Sequence, residues 1–182
     1  MRGFTLIEML IVVAIIGILA ALLIPNAMSA IQKAKQKGTV KDVSTIASAM
    51  MEYVVDRGVA VPDADGAIES STEPVVVALQ GFYIQVMPLN DQWGNPFYVY
   101  GGENCEGNAF GIQLPSGQED FGSDEFIVGS LGRNGASGDH TWNNTDLSQN
   151  LYEVKSMSDY NKEIANWNGG LVIGPRTAAG NT

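Results

Sequence analysis

The sequence predicts an α+β fold: one long N-terminal helix, half transmembrane and half amphipathic, packed on a small antiparallel β-sheet. Three observations predict it. An unbroken apolar run extends from Met9 to Ile24. Beyond it, apolar residues recur with helical spacing as far as Arg57. After Gly58 the chain turns rich in glycine, with short aromatic and β-branched runs between the glycines.

Taken in order, Phe4 to Ile24 is 21 residues, which as a helix spans roughly 31 Å. That matches the roughly 30 Å hydrocarbon core of a bilayer. Glu8 stands at the mouth of this run, where a membrane charge usually has a partner or a task. It also argues against an ordinary cleaved secretory signal, as does the passage of the run into further helix. Pro25 removes one helix hydrogen bond and predicts a kink or a local melt, and Gly38 is a second weak point. Val43, Ile46, Ala47, Met50 and Val54 then share one helical face. Gly58 after Asp56-Arg57 is a stop signal, so an unbroken helix from Phe4 would be about 80 Å long.

The apolar stripe needs a cover, which residues 75–130 can supply. Val75 to Leu79 reads as a short helix or a buried strand, because periodicity does not separate the two. Phe97-Tyr98-Val99-Tyr100 and Phe126-Ile127-Val128 read as strands of an antiparallel meander. Glu163 to Trp167 and Leu171 to Ile173 flank Asn168-Gly169-Gly170 as a terminal hairpin.

Composition narrows the function. The 182 residues carry a net charge of −10, and the split is uneven. Residues 59–182 hold sixteen acids against four bases, so phosphate backbones would be repelled and nucleic-acid binding is not expected. Lys33, Lys35, Lys37 and Lys41 are the local exception and can meet an anionic surface. The lone Cys105 excludes an internal disulfide and a cysteine zinc site. No phosphate loop or nucleophile elbow is present. Ser137, Asp139 and His140 crowd one turn, where adjacent side chains rarely converge on a substrate. No enzymatic activity is expected.

Gly3-Phe4-Thr5-Leu6-Ile7-Glu8, behind Arg2, resembles the processing and methylation motif of type IV pilins and type II secretion pseudopilins. The resemblance implies cleavage after Gly3 by a prepilin peptidase, with Phe4 becoming an N-methylated amino terminus. It also implies that Glu8 pairs with the Phe4 amine of a neighbouring subunit, so that two charges are buried only in correct register. Gly17 and Pro25 sit where that family places helix-loosening residues. The organisation expected is a leader at 1–3, a transmembrane and assembly helix at 4–25, an amphipathic helix at 26–58, and a globular domain at 59–182 with a loop-rich C-terminal region.

Asp91-Gln92-Trp93-Gly94-Asn95-Pro96-Phe97 resembles a segment of the major, G-type pseudopilins. Physically it is a turn into a strand, with Trp93 expected to cap the helix–sheet core. Ser130 to Asp146 resembles the loop where those proteins hold calcium, which takes six to eight oxygen ligands. The resemblance places ligands at Asn134, Asp146 and the Leu131 carbonyl. Asp139 is a further candidate on its own chemistry. Two departures stand out: Asn134 replaces an expected aspartate, and the spacing to Asp146 requires about one inserted residue. Residues 101–125 and the tail after 150 are also longer than a compact G-type subunit implies.

What the resemblance implies is a structural subunit of a type II secretion pseudopilus. It would be anchored once in the inner membrane with its C-terminal domain in the periplasm. Its partners would be further copies in a helical homopolymer, other pilin-like subunits and an inner-membrane assembly platform. The alternative is a type IV pilus subunit serving adhesion, motility or DNA uptake.

Overall fold

The computed structural model describes residues 4–115, 117–118 and 120–176. Its first element, α1, runs Leu6–Arg57. The chain falls into two compact units, Met1–Ala34 and Lys35–Thr182.

In the first unit α1 presents apolar side chains outward on every face, from Phe4 through Leu6, Ile15 and Leu22 to Ile31, all exposed. A helix apolar all round belongs in a bilayer or a large core. Among the described residues it is the one helix long and apolar enough to cross a membrane. Pro25 lies inside α1 without ending it. A local melt at Pro25 is therefore absent, the proline removing a single helix hydrogen bond. The Asn26 amide also donates back to the Leu22 carbonyl (3.4 Å).

In the second unit the predicted stripe is buried: Val43, Ile46, Ala47 and Met50, with Val54 partly so. Gly38 proves to be a contact point instead of a weak one. A side chain there would meet Gln92 Cγ at 2.8 Å, and Gln92 binds the helix through Thr39 Oγ1 (3.3 Å) and Asp42 Oδ2 (2.8 Å). After Gly58, in the left-handed region at φ +75°, come β1 (Asp65–Ala67), α2 (Pro74–Leu79), β2 (Tyr98–Gly101), β3 (Phe126–Ser130), β4 (Leu151–Tyr152), β5 (Ile164–Trp167) and β6 (Gly170–Pro175). Val75 to Leu79 is thus helical, with Pro74 at its first turn.

The six strands form one sheet in the order β1-β2-β3-β5-β6-β4. All neighbours are antiparallel except β4 and β6, which pair in parallel at Leu151↔Gly174 and Tyr152↔Pro175. The sheet is therefore mixed at one edge. The α+β class stands, as do the predicted strand at 126–128 and the terminal hairpin, and the strand predicted at 97–100 starts one residue later, at Tyr98.

Both faces of the sheet are covered, and side-chain alternation along β3 shows how. Phe126 and Val128 join Phe97, Val99 and Ile164 against the α1 stripe and Leu79. Ile127 joins Tyr100, Ala165 and Ile173 beneath Phe110, Ile112, Phe121 and Tyr152. The segments expected to be long supply the second cover through Phe110, Ile112, Phe121, Tyr152 and Val154. Phe97, not Trp93, fills the helix–sheet core: Phe97 is fully buried, whereas Trp93 stays half-buried and outside both packed clusters.

Candidate functional site

Two regions carry the predicted functional residues. At the N-terminus Gly3 lies outside the described residues. Phe4 follows, 76% exposed. Thr5 caps α1, and Glu8 completes a capping box. Thr5 Oγ accepts from the Glu8 amide (3.3 Å), while Glu8 Oε2 accepts from the Thr5 amide (2.9 Å) and hydroxyl (2.8 Å). The T-x-x-E spacing was the available signal for this cap. Glu8 is the only charged side chain between Phe4 and Gln32. The carboxylate thus satisfies the helix start locally and supplies the sole charge of an otherwise apolar surface.

The second region is the loop after β3, which the 91–97 turn fastens to the sheet. Asp91 Oδ1 accepts from the amides of Trp93 and Asn95 (2.9 Å each), and Asp91 Oδ2 accepts from the Ser130 hydroxyl (2.7 Å). The Asn95 amide donates to the Gly132 carbonyl (2.8 Å). Leu131 is buried. Gly132, at φ +76°, sits so close to the Asn161 and Lys162 carbonyls that only a glycine fits.

Of the predicted ligands, Asn134 and Asp139 come together, the Asn134 amide donating to Asp139 Oδ2. Asp146 is bonded elsewhere. It caps the short 3₁₀ turn Leu147–Asn150, accepting from Ser148 and Gln149. Those hydrogen bonds, Ser148 foremost, hold its carboxyl below the usual carboxylate range. Sequence reasoning missed Glu163. Its side chain is 1% exposed, and Oε1 accepts from the amides of Gly138 (2.6 Å) and Asp139 (3.1 Å). Its Oε2 is buried with no hydrogen-bond partner in the protein. An orphan buried oxygen on the carboxylate that holds the Asp139 amide suits a cation in chemistry. Among the described residues, however, no three acidic, histidine or cysteine side chains converge. The only signal for Glu163 was an acid at the first position of a predicted strand.

The imagined hydrolytic trio does not assemble. His140 Nε2 lies 3.3 Å from Asn150 Oδ1, and Asp139 is engaged with Asn134.

The sequence also resembles known proteins. Residues 1–24 match a family described as the prokaryotic N-terminal methylation motif. The chain is 34% identical over 130 residues to a protein named type II secretion system core protein G from Vibrio cholerae, covering 67% of this chain and 88% of that one. Proteins of the same name from Escherichia coli K12 and Pseudomonas aeruginosa are 35% identical over 104 residues and 37% over 102. Those matches cover 54% and 52% of this chain, and 70% of each relative.

Proposed function

The chain belongs to the family of the type II secretion system core protein G, and from that premise we propose that it is a membrane-anchored structural subunit that polymerises into a pseudopilus for protein export. One observation carries this reading: from Phe4 to Ile31 an apolar helix surface stands uncovered, with Glu8 its only charge. In a bilayer lipid covers that surface, and in a filament the same helices of other copies cover it.

The finer mechanism follows from residue chemistry. A prepilin peptidase would cut after Gly3, whose missing side chain lets the backbone enter a protease site extended. Arg2 keeps the leader on the cytoplasmic side, leaving the domain after residue 58 in the periplasm. Cleavage gives Phe4 a cationic amine, which Glu8 of an adjacent copy neutralises on assembly; an unpaired charge there is costly. Further copies, other pilin-like subunits and an inner-membrane platform are the partners. The role is mechanical, with no catalytic step. Replacing Gly3 with leucine is expected to leave a precursor retaining Met1 to residue 3 by mass spectrometry; normal cleavage would contradict the peptidase assignment.

Calcium at the loop after β3 is part of the proposal. The Leu131 carbonyl, Asn134, Asp139 and Glu163 would hold it, and Asp146 would join by exchanging a donor of its own turn. The ion would neutralise the buried Glu163 carboxylate and brace the loop. The orphan oxygen of Glu163 supports this. Millimolar calcium is expected to raise the melting temperature of the full chain in detergent, and Glu163→Gln to abolish the rise. No rise in the unsubstituted chain would retire the ion.

A further inference from the structure

Within the second unit, α1 keeps a solvent face made of Lys37, Lys41, Ser44, Thr45, Ser48, Glu52, Val55 and Asp56. Its middle makes no polar demand: Ser44, Thr45 and Ser48 each donate to the carbonyl four residues back, all at 2.9 Å. Its ends carry opposite charges, two lysines spaced i, i+4 and two acids spaced i, i+4. None of the four is in an ion pair, since the ion pairs among the described residues are Lys155–Glu153 and Lys162–Asp159.

The cationic end is a built groove of about 520 Å³. Val40, Leu171 and Pro175 give it an apolar floor, and Lys37, Lys41 and Arg176 rim it. Arg176 is held in place, donating from Nη2 to the Ser148 carbonyl (2.7 Å) and from Nε to the Leu151 carbonyl (2.9 Å). Three cations over an apolar floor are conspicuous in a unit, residues 35–182, that carries nineteen acids against eight bases.

The anionic end is its complement. Asp56 accepts from the Tyr83 hydroxyl (3.1 Å). Phe82 packs edge-on to the Tyr83 ring at 4.8 Å and is itself 82% exposed. Gly81, at φ +94°, starts this corner, and the Met87 amide bonded to Gln80 Oε1 closes it (3.2 Å). An aromatic knob beside Glu52 and Asp56 is thus presented on fixed backbone.

We infer that the groove rimmed by Lys37, Lys41 and Arg176 receives the Phe82 corner with Glu52 and Asp56 of a second copy. The contact joins two different patches, so it is heterologous and propagates instead of closing on a pair. Lys37 and Glu52, like Lys41 and Asp56, are 15 residues apart, which is about 22 Å of axial shift and about 60° of rotation around the helix. Facing each other on parallel helices, the two patches offset neighbouring copies by that axial shift, so the contact repeats along the fibre. The inference rests on the filament reading and supplies one of its contacts.

The test introduces Lys41→Cys and Asp56→Cys together into the full chain, assembled in cells beside a type II secretion system, and applies a short bis-maleimide cross-linker. The two positions lie about 22 Å apart along one helix and do not bridge internally. Cys105 is buried, with its thiol pushed up to about 12, and stays silent. A ladder of multimers is expected, and neither single variant should give one. Cross-linking that stops at dimers would mean an antiparallel pair and overturn the inference. Filaments that pellet without any ladder would overturn it while leaving the filament reading intact, and no filaments from the unsubstituted chain would overturn both. Charge reversal supplies the second arm: Lys37→Glu with Lys41→Glu is expected to lower pelletable filament at least about tenfold. Adding Glu52→Lys and Asp56→Lys should restore it, and a failure to restore counts against the contact.

Discussion

At the scale of single residues the molecule uses its few unusual side chains for holding, not for reaction. Cys105 is fully buried, and burial pushes its thiol up to about 12, with the negative charge of Glu125 adding to the effect. An ordinary thiol titrates near 8.5. The folded chain therefore keeps its proton. The stability this lends is present below roughly pH 8.5 and is lost as pH rises toward the folded value. Alkylation of Cys105 at pH 8 is expected to be slow in the native chain and fast in denaturant, followed by mass; equal rates would contradict the burial. Glu8 and Glu163 show what residue identity conceals. Glu8 was legible as a charge in an apolar run, whereas its capping of Thr5 became clear only with the helix start in view. Glu163 was legible only as the first residue of the terminal hairpin. Its burial depends on loop 138–139 folding back over it, a contact between residues 24 and 25 positions apart.

Among the elements, those with long periodic signals were legible. The apolar run, the stripe at 43–54 and the strands at 98–101 and 126–130 stand where residue patterns put them. The two shortest strands were not. Asp65-Gly66-Ala67 has no strand propensity, and it is strand only because β2 lies beside it. Leu151-Tyr152 is two residues docked on β6. At Pro25 local chemistry allows a melt, and the helix runs on through it. β3, sandwiched between two covers, offers the sharpest test of the layering. A side chain at Gly129 would meet the Ile164 carbonyl and the Phe110 ring at 2.5 Å. Gly129→Ala is therefore expected to destabilise the chain by about 1–3 kcal/mol in denaturant titration. Tolerance of the alanine would argue that residues 102–125 do not seal that face.

For the whole molecule, sequence composition and structure converge on a division of labour. One unit is a helix whose surface is almost wholly apolar, and the other is an acidic α+β body with both sheet faces closed. The class of protein was legible because residues 1–24 carry the methylation motif and an apolar helix long enough to cross a membrane. The loop after β3 was legible only in part. Its oxygen-rich composition was visible, but which oxygens turn inward is decided by the tail packed against it.

The central claim is that a lone acid in an apolar helix lets copies assemble in register. Glu8→Gln isolates that claim, because glutamine retains the capping hydrogen bonds and removes only the charge. In cells carrying the secretion machinery, membrane-fraction protein should stay at the unsubstituted level while sheared, pelletable filament disappears. Filaments forming at the unsubstituted level from the glutamine variant would contradict the account.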